Sequence, residues 1–130
     1  MQTITVNASE KYDVIIGEGL LKNCGEYVKK VTKAEKIALI SDDNVSGIYS
    51  DSVKSSLSEA GFDVSVFTFP HGEASKCSDT LNKIYSFLAA NHFTRTDCIV
   101  ALGGGVTGDM AGYASATYLR GMDFVQLPTS

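Results

Sequence analysis

The chain has no tryptophan, only two prolines and two histidines, and no apolar run approaching the ~20 residues that a membrane helix needs. Its opening residues, Met1-Gln2-Thr3, are polar and carry no basic stretch leading into an apolar one, so no secretory leader and no membrane partner are expected. Cations are also scarce. Eleven Lys and Arg face fifteen Asp and Glu, a formal charge of -4, and a protein without a basic face does not displace counterions from phosphate backbones. No nucleic-acid partner is expected. The three cysteines, Cys24, Cys77 and Cys98, form no CxxC pair and are odd in number. That suits buried thiols in a reducing, cytoplasmic compartment better than a disulfide framework. His71 and His92 fit neither HExxH nor a tetrahedral set of Cys and His spacings, so no metal ligand is assigned within the chain.

What is present is ordinary for a packed protein: 130 residues, 44% of them hydrophobic and 20% charged, the size and make-up of one domain with a real core. Thr3 to Val6 and Val14 to Ile16 read as a short strand pair, followed by a helix from about Leu20 to Val31 with Leu21, Cys24 and Val28 on one face. Ile37 to Ser41 is a continuous apolar run of the kind buried on both faces of a parallel sheet. Asn44 is expected to cap the next helix, whose stripe is Val45, Ile48, Tyr49, Val53 and Leu57 and whose stop is Gly61. Val64 to Phe69 is the second core strand, ended by Pro70. Ser78 is expected to cap a helix buried along Leu81, Ile84, Tyr85 and Leu88 and ending near Asn91 and His92. Cys98 to Leu102, a helix from about Val106 to Leu119, and a strand from Phe124 to Leu127 complete the series. Strands alternating with helices define an α/β, Rossmann-like fold: a mainly parallel sheet with crossover helices, preceded by a short N-terminal strand pair and helix. No sequence repeat or low-complexity linker interrupts it. The last residues, Pro128-Thr129-Ser130, come just past a strand, where such folds continue, so a further C-terminal portion is expected.

Gly103, Gly105 and Gly108 satisfy GxGxxG after a buried strand and at a helix start. Missing Cβ atoms there let an anion approach unpaired amides at the positive end of a helix dipole. The competing use of the same glycines is close packing of helix on sheet. Packing is the preferred reading for Gly112 in the four-residue series Gly108, Gly112, Ala116. The turn follows the third core strand rather than the first, and no acidic residue ends the strand after it. Asp123 begins that strand and is expected to be solvated. Ligands of open parallel sheets collect at the carboxyl ends of strands. Four segments are expected to converge there: Asp42 to Asn44, His71 to Lys76, Gly103 to Asp109, and Pro128 to Ser130. Together they offer acceptors for ribose hydroxyls and donors for phosphate. Taken singly, Asp43 could solvate a helix start, and Glu73 with Lys76 could form a surface ion pair. Asp109, in the first helical turn, could complement the dipole or accept from a ligand hydroxyl or ammonium group.

The run ALGGGVTGDMAGYASATYLRG from Ala101 to Gly121, with FVQLPTS at the end, resembles the glycine segment of 3-dehydroquinate synthases, and PHGEASK resembles their PDGEQYK loop. The likeness extends in order and spacing over essentially the whole chain. It implies the NAD-binding portion of a homodimeric, NAD-using, metal-dependent enzyme that converts 3-deoxy-arabino-heptulosonate 7-phosphate to 3-dehydroquinate and phosphate in the shikimate pathway. In such enzymes NAD is a recycled catalyst of transient carbinol oxidation, phosphate elimination, hydride return and aldol closure, and the protein binds and orients the nicotinamide. By position, the resemblance implies that Asp42 meets the adenosine ribose and that His71, Gly72, Glu73 and Lys76 continue around the nucleotide. It further implies that Gly104, Gly105, Val106, Thr107 and Gly108 form the pyrophosphate turn and that Asp109 is a nicotinamide-side contact. Thr129 and Ser130 correspond to hydroxyl residues beside the cofactor, and Arg120 to an arginine that clamps substrate phosphate, in one reading across the dimer. His71 replaces the usual aspartate, and Ser130 a threonine. The lysines, glutamate and two histidines that build the zinc or cobalt and substrate site in this family fall beyond Ser130, so the chain is expected to bind without turning over. The rival readings are a sister sugar-phosphate cyclase, a metal-dependent polyol dehydrogenase and a free-standing nucleotide-binding module. A signalling receiver domain, suggested by Asp42-Asp43, fails because the third core strand ends in glycines.

Overall fold

The computed structural model describes residues 2–7, 11–16 and 23–129. Strands β1 (Gln2–Asn7) and β2 (Lys11–Ile16) form an antiparallel pair, and α1 follows at Cys24–Val31. Next come β3 (Lys36–Asp42) and one continuous helical rod: α2 (Asp43–Val45), a π-helical turn (Ser46–Ser50) and α3 (Asp51–Glu59). After β4 (Asp63–Phe69) a 3-10 turn at Glu73–Ser75 leads to α4 (Ser78–Ala90). Then β5 (Cys98–Gly103), α5 (Gly105–Thr117), a 3-10 turn at Tyr118–Arg120 and β6 (Asp123–Pro128) close the series. The expected mainly parallel sheet is present. Its strand order is β1-β2-β6-β5-β3-β4, with every junction parallel except β1 with β2.

That order carries a reversal. From β3 the chain steps outward to β4, then returns across β3 to β5 and on to β6, so winding changes direction between β3 and β5. A right-handed crossover puts its helix on one face when the chain moves one way and on the other when it moves back. Accordingly α1 and α3 bury Cys24, Val28, Val53 and Leu57 on the face of Ile37, Leu39, Val100 and Leu102. On the opposite face, α4 and α5 bury Ile84, Leu88, Met110, Ala111 and Ala114 against Ala38, Ile40, Ile99 and Ala101. Ile37 to Ile40 and Cys98 to Leu102 are wholly buried, the continuous apolar pattern that a doubly covered parallel strand requires.

Several local expectations are corrected. Asp42, not Asn44, caps α2: its Oδ1 accepts from the amide of Val45 at 2.8 Å, because β3 ends one residue later than the apolar run suggests and the helix starts at once. Ile48 leaves the expected stripe and is 70% exposed. The wider π turn rotates the positions around it, and the residue facing inward at that level is Ser50. Ser78 is the first residue of α4 rather than its cap; that position is Cys77, without a side-chain cap bond. The last long helix stops at Thr117, since Leu119 adopts a left-handed conformation (φ 49°). Ala116 is exposed, so the small-residue face that packs on the sheet is Gly108 and Gly112 only. Leu20 and Leu21, the expected start of the first helix, lie outside the described residues. No helix among the described residues is long and apolar enough to cross a membrane.

Candidate functional site

The pairing register draws four strand ends into one row. Phe69 pairs with Asp42, Ser41 with Leu102, and Gly103 with Pro128, so Asp42 and Gly103 stand at the carboxyl edges of the two strands between which the winding reverses. A crevice opens at such a point because the connections leave it in opposite directions. The four segments expected to converge, after β3, β4, β5 and β6, therefore all start from one edge.

The glycines of the turn divide into two kinds. Gly103 (φ +150°) is capped by Thr107, whose Oγ1 would stand 2.9 Å from an added Cβ, and Gly108 would drive a Cβ to 2.3 Å from Gln126 Nε2. Both serve packing, and Gly112, 3.5 Å from the Phe124 ring, does so less tightly. Gly105 differs, with no heavy atom within 4 Å of its would-be Cβ, on the exposed side of the helix start. Gly104 is the cap residue of α5 and supplies no side-chain cap, while its carbonyl accepts from Gly108 N at 3.0 Å. The start of a 13-residue helix, the positive end of its dipole, thus has no side-chain cap and is open beside Gly105. Val106 is half-buried, and Thr107 is buried as a whole residue at 1% exposure.

Two charged contacts tie the loops together. Lys76 Nζ lies 3.0 Å from Asp109 Oδ2, which replaces the Glu73–Lys76 pair considered from sequence. Asp109, with Glu73 adding a weaker effect, raises the ammonium pKa above its ordinary value. Asp43, expected only to solvate a helix start, accepts from both His71 Nδ1 (2.7 Å) and His71 N (3.0 Å) through Oδ1. His71 in turn lowers the Asp43 carboxyl below its ordinary value. Within the loop, Gly72 (φ +105°) opens a turn in which Ser75 N donates to Gly72 O at 3.1 Å, Lys76 N donates to Glu73 O at 3.0 Å, and the Ser75 hydroxyl donates to Pro70 O. Thr129 N donates to Gly103 O at 3.4 Å, bringing the segment after β6 against the glycine turn. Ser130 lies outside the described residues. Arg120 is not brought to this edge: it follows the far end of α5, which at ~1.5 Å per residue is about 20 Å from the helix start. Asp123 is exposed, as expected, but also accepts from Thr32 Oγ1 at 2.6 Å.

Cys77, expected with Cys24 and Cys98 as a buried thiol, is exposed because it precedes α4 at the end of the loop after β4, and Ser41 was not singled out from sequence. The exposed Cys77 thiol meets Thr80 Oγ1 at 3.5 Å, and that hydroxyl with the Thr80 amide lowers its pKa. The Ser41 hydroxyl is buried without a hydrogen-bond partner, one residue before Asp42. Among the described residues no three His, Cys, Asp or Glu side chains gather as a metal-binding group.

A doubly wound sheet with an uncapped glycine turn at its switch point defines a Rossmann-like α/β domain. The chain belongs to the 3-dehydroquinate synthase N-terminal family, whose model matches residues 66–130. It is 52% identical over 128 residues to the 3-dehydroquinate synthase of Streptococcus suis, covering 98% of this chain and 36% of that protein. It is 56% identical over 119 residues to the 3-dehydroquinate synthase of Streptococcus thermophilus, with 92% and 34% covered. The chain therefore spans about a third of the length of the curated relatives it matches. Among solved structures it is similar to 2-deoxy-scyllo-inosose synthase, with a TM-score of 0.86 and 25% identity over 99% of this chain and 36% of that one. The same enzyme complexed with carbaglucose-6-phosphate, NAD+ and Co2+ gives a TM-score of 0.85 and 26% identity over 98% and 35%. An iron-containing alcohol dehydrogenase from Thermotoga maritima shares the fold alone, at a TM-score of 0.69 and 18% identity over 90% and 36%.

Proposed function

We propose that this chain is the NAD-binding portion of a 3-dehydroquinate synthase, which converts 3-deoxy-arabino-heptulosonate 7-phosphate to 3-dehydroquinate and phosphate. The observation that carries the reading is the start of α5, uncapped and open above Gly105, at the switch point of the sheet. The amides of Gly104, Gly105, Val106 and Thr107 hold the pyrophosphate, with Gly108 letting the helix lie close on β6. Asp42 uses the carboxylate oxygen not spent on Val45 to accept from the adenosine ribose. His71, Gly72, Glu73 and Lys76 border the nucleotide, Lys76 supplying positive charge, while Asp43 engages both the ring and the amide of His71 and leaves its carbonyl to the ligand. Asp109, Thr129 and Ser130 line the nicotinamide side. NAD, when bound, supplies a hydride acceptor that is restored within each turnover.

Identity of 52% and 56% to proteins named 3-dehydroquinate synthase, against 25% and 26% to 2-deoxy-scyllo-inosose synthase, favours the synthase over the sister cyclase. That cyclase, complexed with carbaglucose-6-phosphate, NAD+ and Co2+, supports NAD, a divalent metal and a sugar phosphate as the ligands of the whole enzyme; we take the heptulosonate phosphate, and zinc or cobalt as the metal, from the family resemblance. The chain spans about a third of the length of its relatives, so 1–130 is read as one cofactor domain, with the metal ligands assigned to the remaining part of such a protein. Arg120, at the edge away from the glycine turn, serves substrate phosphate across the boundary of a cytoplasmic homodimer rather than within its own chain.

NAD titrated into the 130-residue chain is expected to bind weakly and saturably and to shift the amide resonances of Gly104 to Thr107. Shifts confined to another part of the chain, or none at all, would remove the reading. Glu73→Ala with Lys76→Ala is expected to abolish that binding; unchanged affinity would take the loop out of the site. The chain alone is expected to release no phosphate from the heptulosonate, and measurable turnover would overturn the assignment of the metal site to residues outside it.

A further inference from the structure

The loop after β4 reaches α5 through one charged contact, Lys76 Nζ to Asp109 Oδ2, and both side chains are about half exposed (49% and 60%). An exposed pair of this kind is weak and opens readily. Its surroundings give it a direction. The Lys76 backbone is fixed by its own turn, through Lys76 N to Glu73 O and the Ser75 hydroxyl to Pro70 O, so the ammonium end is the part free to swing. Asp109, expected in the first turn, is instead the fifth residue of α5, because the helix already starts at Gly105; that start has no side-chain cap, and the space over Gly105 is empty to 4 Å. From the second turn the carboxylate gains little from the dipole, and it acts on an arriving phosphate as a nearby like charge.

We propose that the Lys76–Asp109 pair is a strap across the glycine turn, which a ligand carrying a pyrophosphate opens by taking the ammonium away from the carboxylate. This inference rests on the nucleotide reading above and adds to it an internal competitor: Asp109 occupies the lysine that the ligand needs. The strap keeps Lys76 within reach of the helix start and at the same time lowers the affinity for anions. Only a ligand that supplies at least as much negative charge at the tip as Asp109 displaces it.

The competition has a signature that simple repulsion lacks. Inorganic pyrophosphate is titrated into the 130-residue chain, Asp109→Asn, Lys76→Met and the double variant, with the amides of Gly104 to Thr107 followed by NMR. Asp109→Asn is expected to bind about two- to fivefold more tightly, the range an exposed ion pair can supply. Because freeing the lysine is the source of the gain, the gain is expected to vanish in the Lys76→Met background, a coupling that the four-protein cycle isolates. If Asp109→Asn improves binding equally with and without Lys76, Asp109 acts by repulsion alone and the strap is overturned while the nucleotide reading stands. If Asp109→Asn binds no more tightly than the parent, the strap is likewise overturned. If none of the four binds pyrophosphate, the nucleotide reading falls and the strap with it.

Discussion

At the amino edge of the sheet, polar groups are consumed by the chain itself. Asp97, 6% exposed, accepts from Thr94 N at 2.9 Å, Asp123 accepts from Thr32 Oγ1 at 2.6 Å, and the Lys36 ammonium donates to Asn91 O while lying 4.5 Å from the centre of the Phe93 ring. At the carboxyl edge the same sheet carries two ion pairs that are more than half open to water or nearly so, a helix start without a cap, and a glycine with empty space beside it. The contrast separates residues that hold the fold from residues left to hold something else. Buried polar groups must find partners because desolvation costs more than a single hydrogen bond returns. Exposed donors at a helix tip can wait for a ligand because water satisfies them in the meantime. The direction of α5 sharpens this: in a strand-helix unit the helix begins at the carboxyl edge, so its positive end falls where the loops are open.

The largest effect that tests the comparison belongs to the amino edge. Asp97→Ala leaves the Thr94 amide without its acceptor, and unfolding by urea is expected to report a loss of about 1–3 kcal/mol. NAD affinity, measured on the folded fraction, is expected to stay the same; a loss of affinity beyond the change in folded fraction would mean that the two edges are not separate. Next in size, and of opposite character, is Gly105→Ala. Gly105 is not among the positive-φ glycines and nothing lies within 4 Å of its would-be Cβ, so alanine fits the backbone and is expected to raise stability by about 0.4–1 kcal/mol. The same methyl group fills the approach to the helix amides, and NAD binding is expected to weaken about tenfold, roughly 1.4 kcal/mol. Titration and urea unfolding on one sample read both signs. Equal or tighter NAD binding would show that the empty space over Gly105 is not where the phosphates go.

The fold was legible because its strands are short apolar runs with one reading. Ile37 to Ile40 and Cys98 to Leu102 have no polar residue to expose, so burial on both faces was forced, and the helices between them followed from spacing. The glycine turn was legible in place but not in role: only contacts show that Gly103 and Gly108 pack against Thr107 and Gln126 while Gly105 does not. Neither Lys76–Asp109 nor Asp43–His71 could be read in advance, because each joins segments that only the strand register brings side by side. The π turn at Ser46–Ser50 was equally hidden, since it rotates Ile48 outward without any residue that marks it. Choosing between Asp42 and Asn44 as a cap turned on where β3 ends, and both residue types cap equally well.

A third effect, smaller than either substitution, tests the closed interior against the open edge through pH. Burial raises the pKa of the Cys98 and Cys24 thiols from an ordinary value of 9.0. An acid whose folded pKa is raised adds stability that is complete below the unfolded value and is lost as pH rises from there toward the folded one. The melting temperature is therefore expected to fall above pH 9.0, and to fall less steeply in Cys98→Ala. NAD binding by the molecules still folded is expected to show no matching step, since both thiols are remote from the glycine turn; identical slopes in parent and variant would remove the thiol as the cause.

The smallest expected effect lies at the open edge. His71 lowers the Asp43 carboxyl below its ordinary value of 3.8, the reverse case: the stability it adds is present above the unfolded value and is lost as pH falls through the lowered, folded one. Because both side chains are more than half exposed, solvent screens the pair and the whole contribution is slight. Asp43→Asn keeps an oxygen that can accept from His71 N and loses the charge, so it isolates the ionic part. Its melting temperature is expected to sit just below that of the parent near neutrality and to converge with it below pH 3.8. A difference as large as that of Asp97→Ala would mean that the carboxyl edge is as firmly built as the amino edge. The openness that distinguishes it, and that leaves its donors free for a ligand, would then be absent.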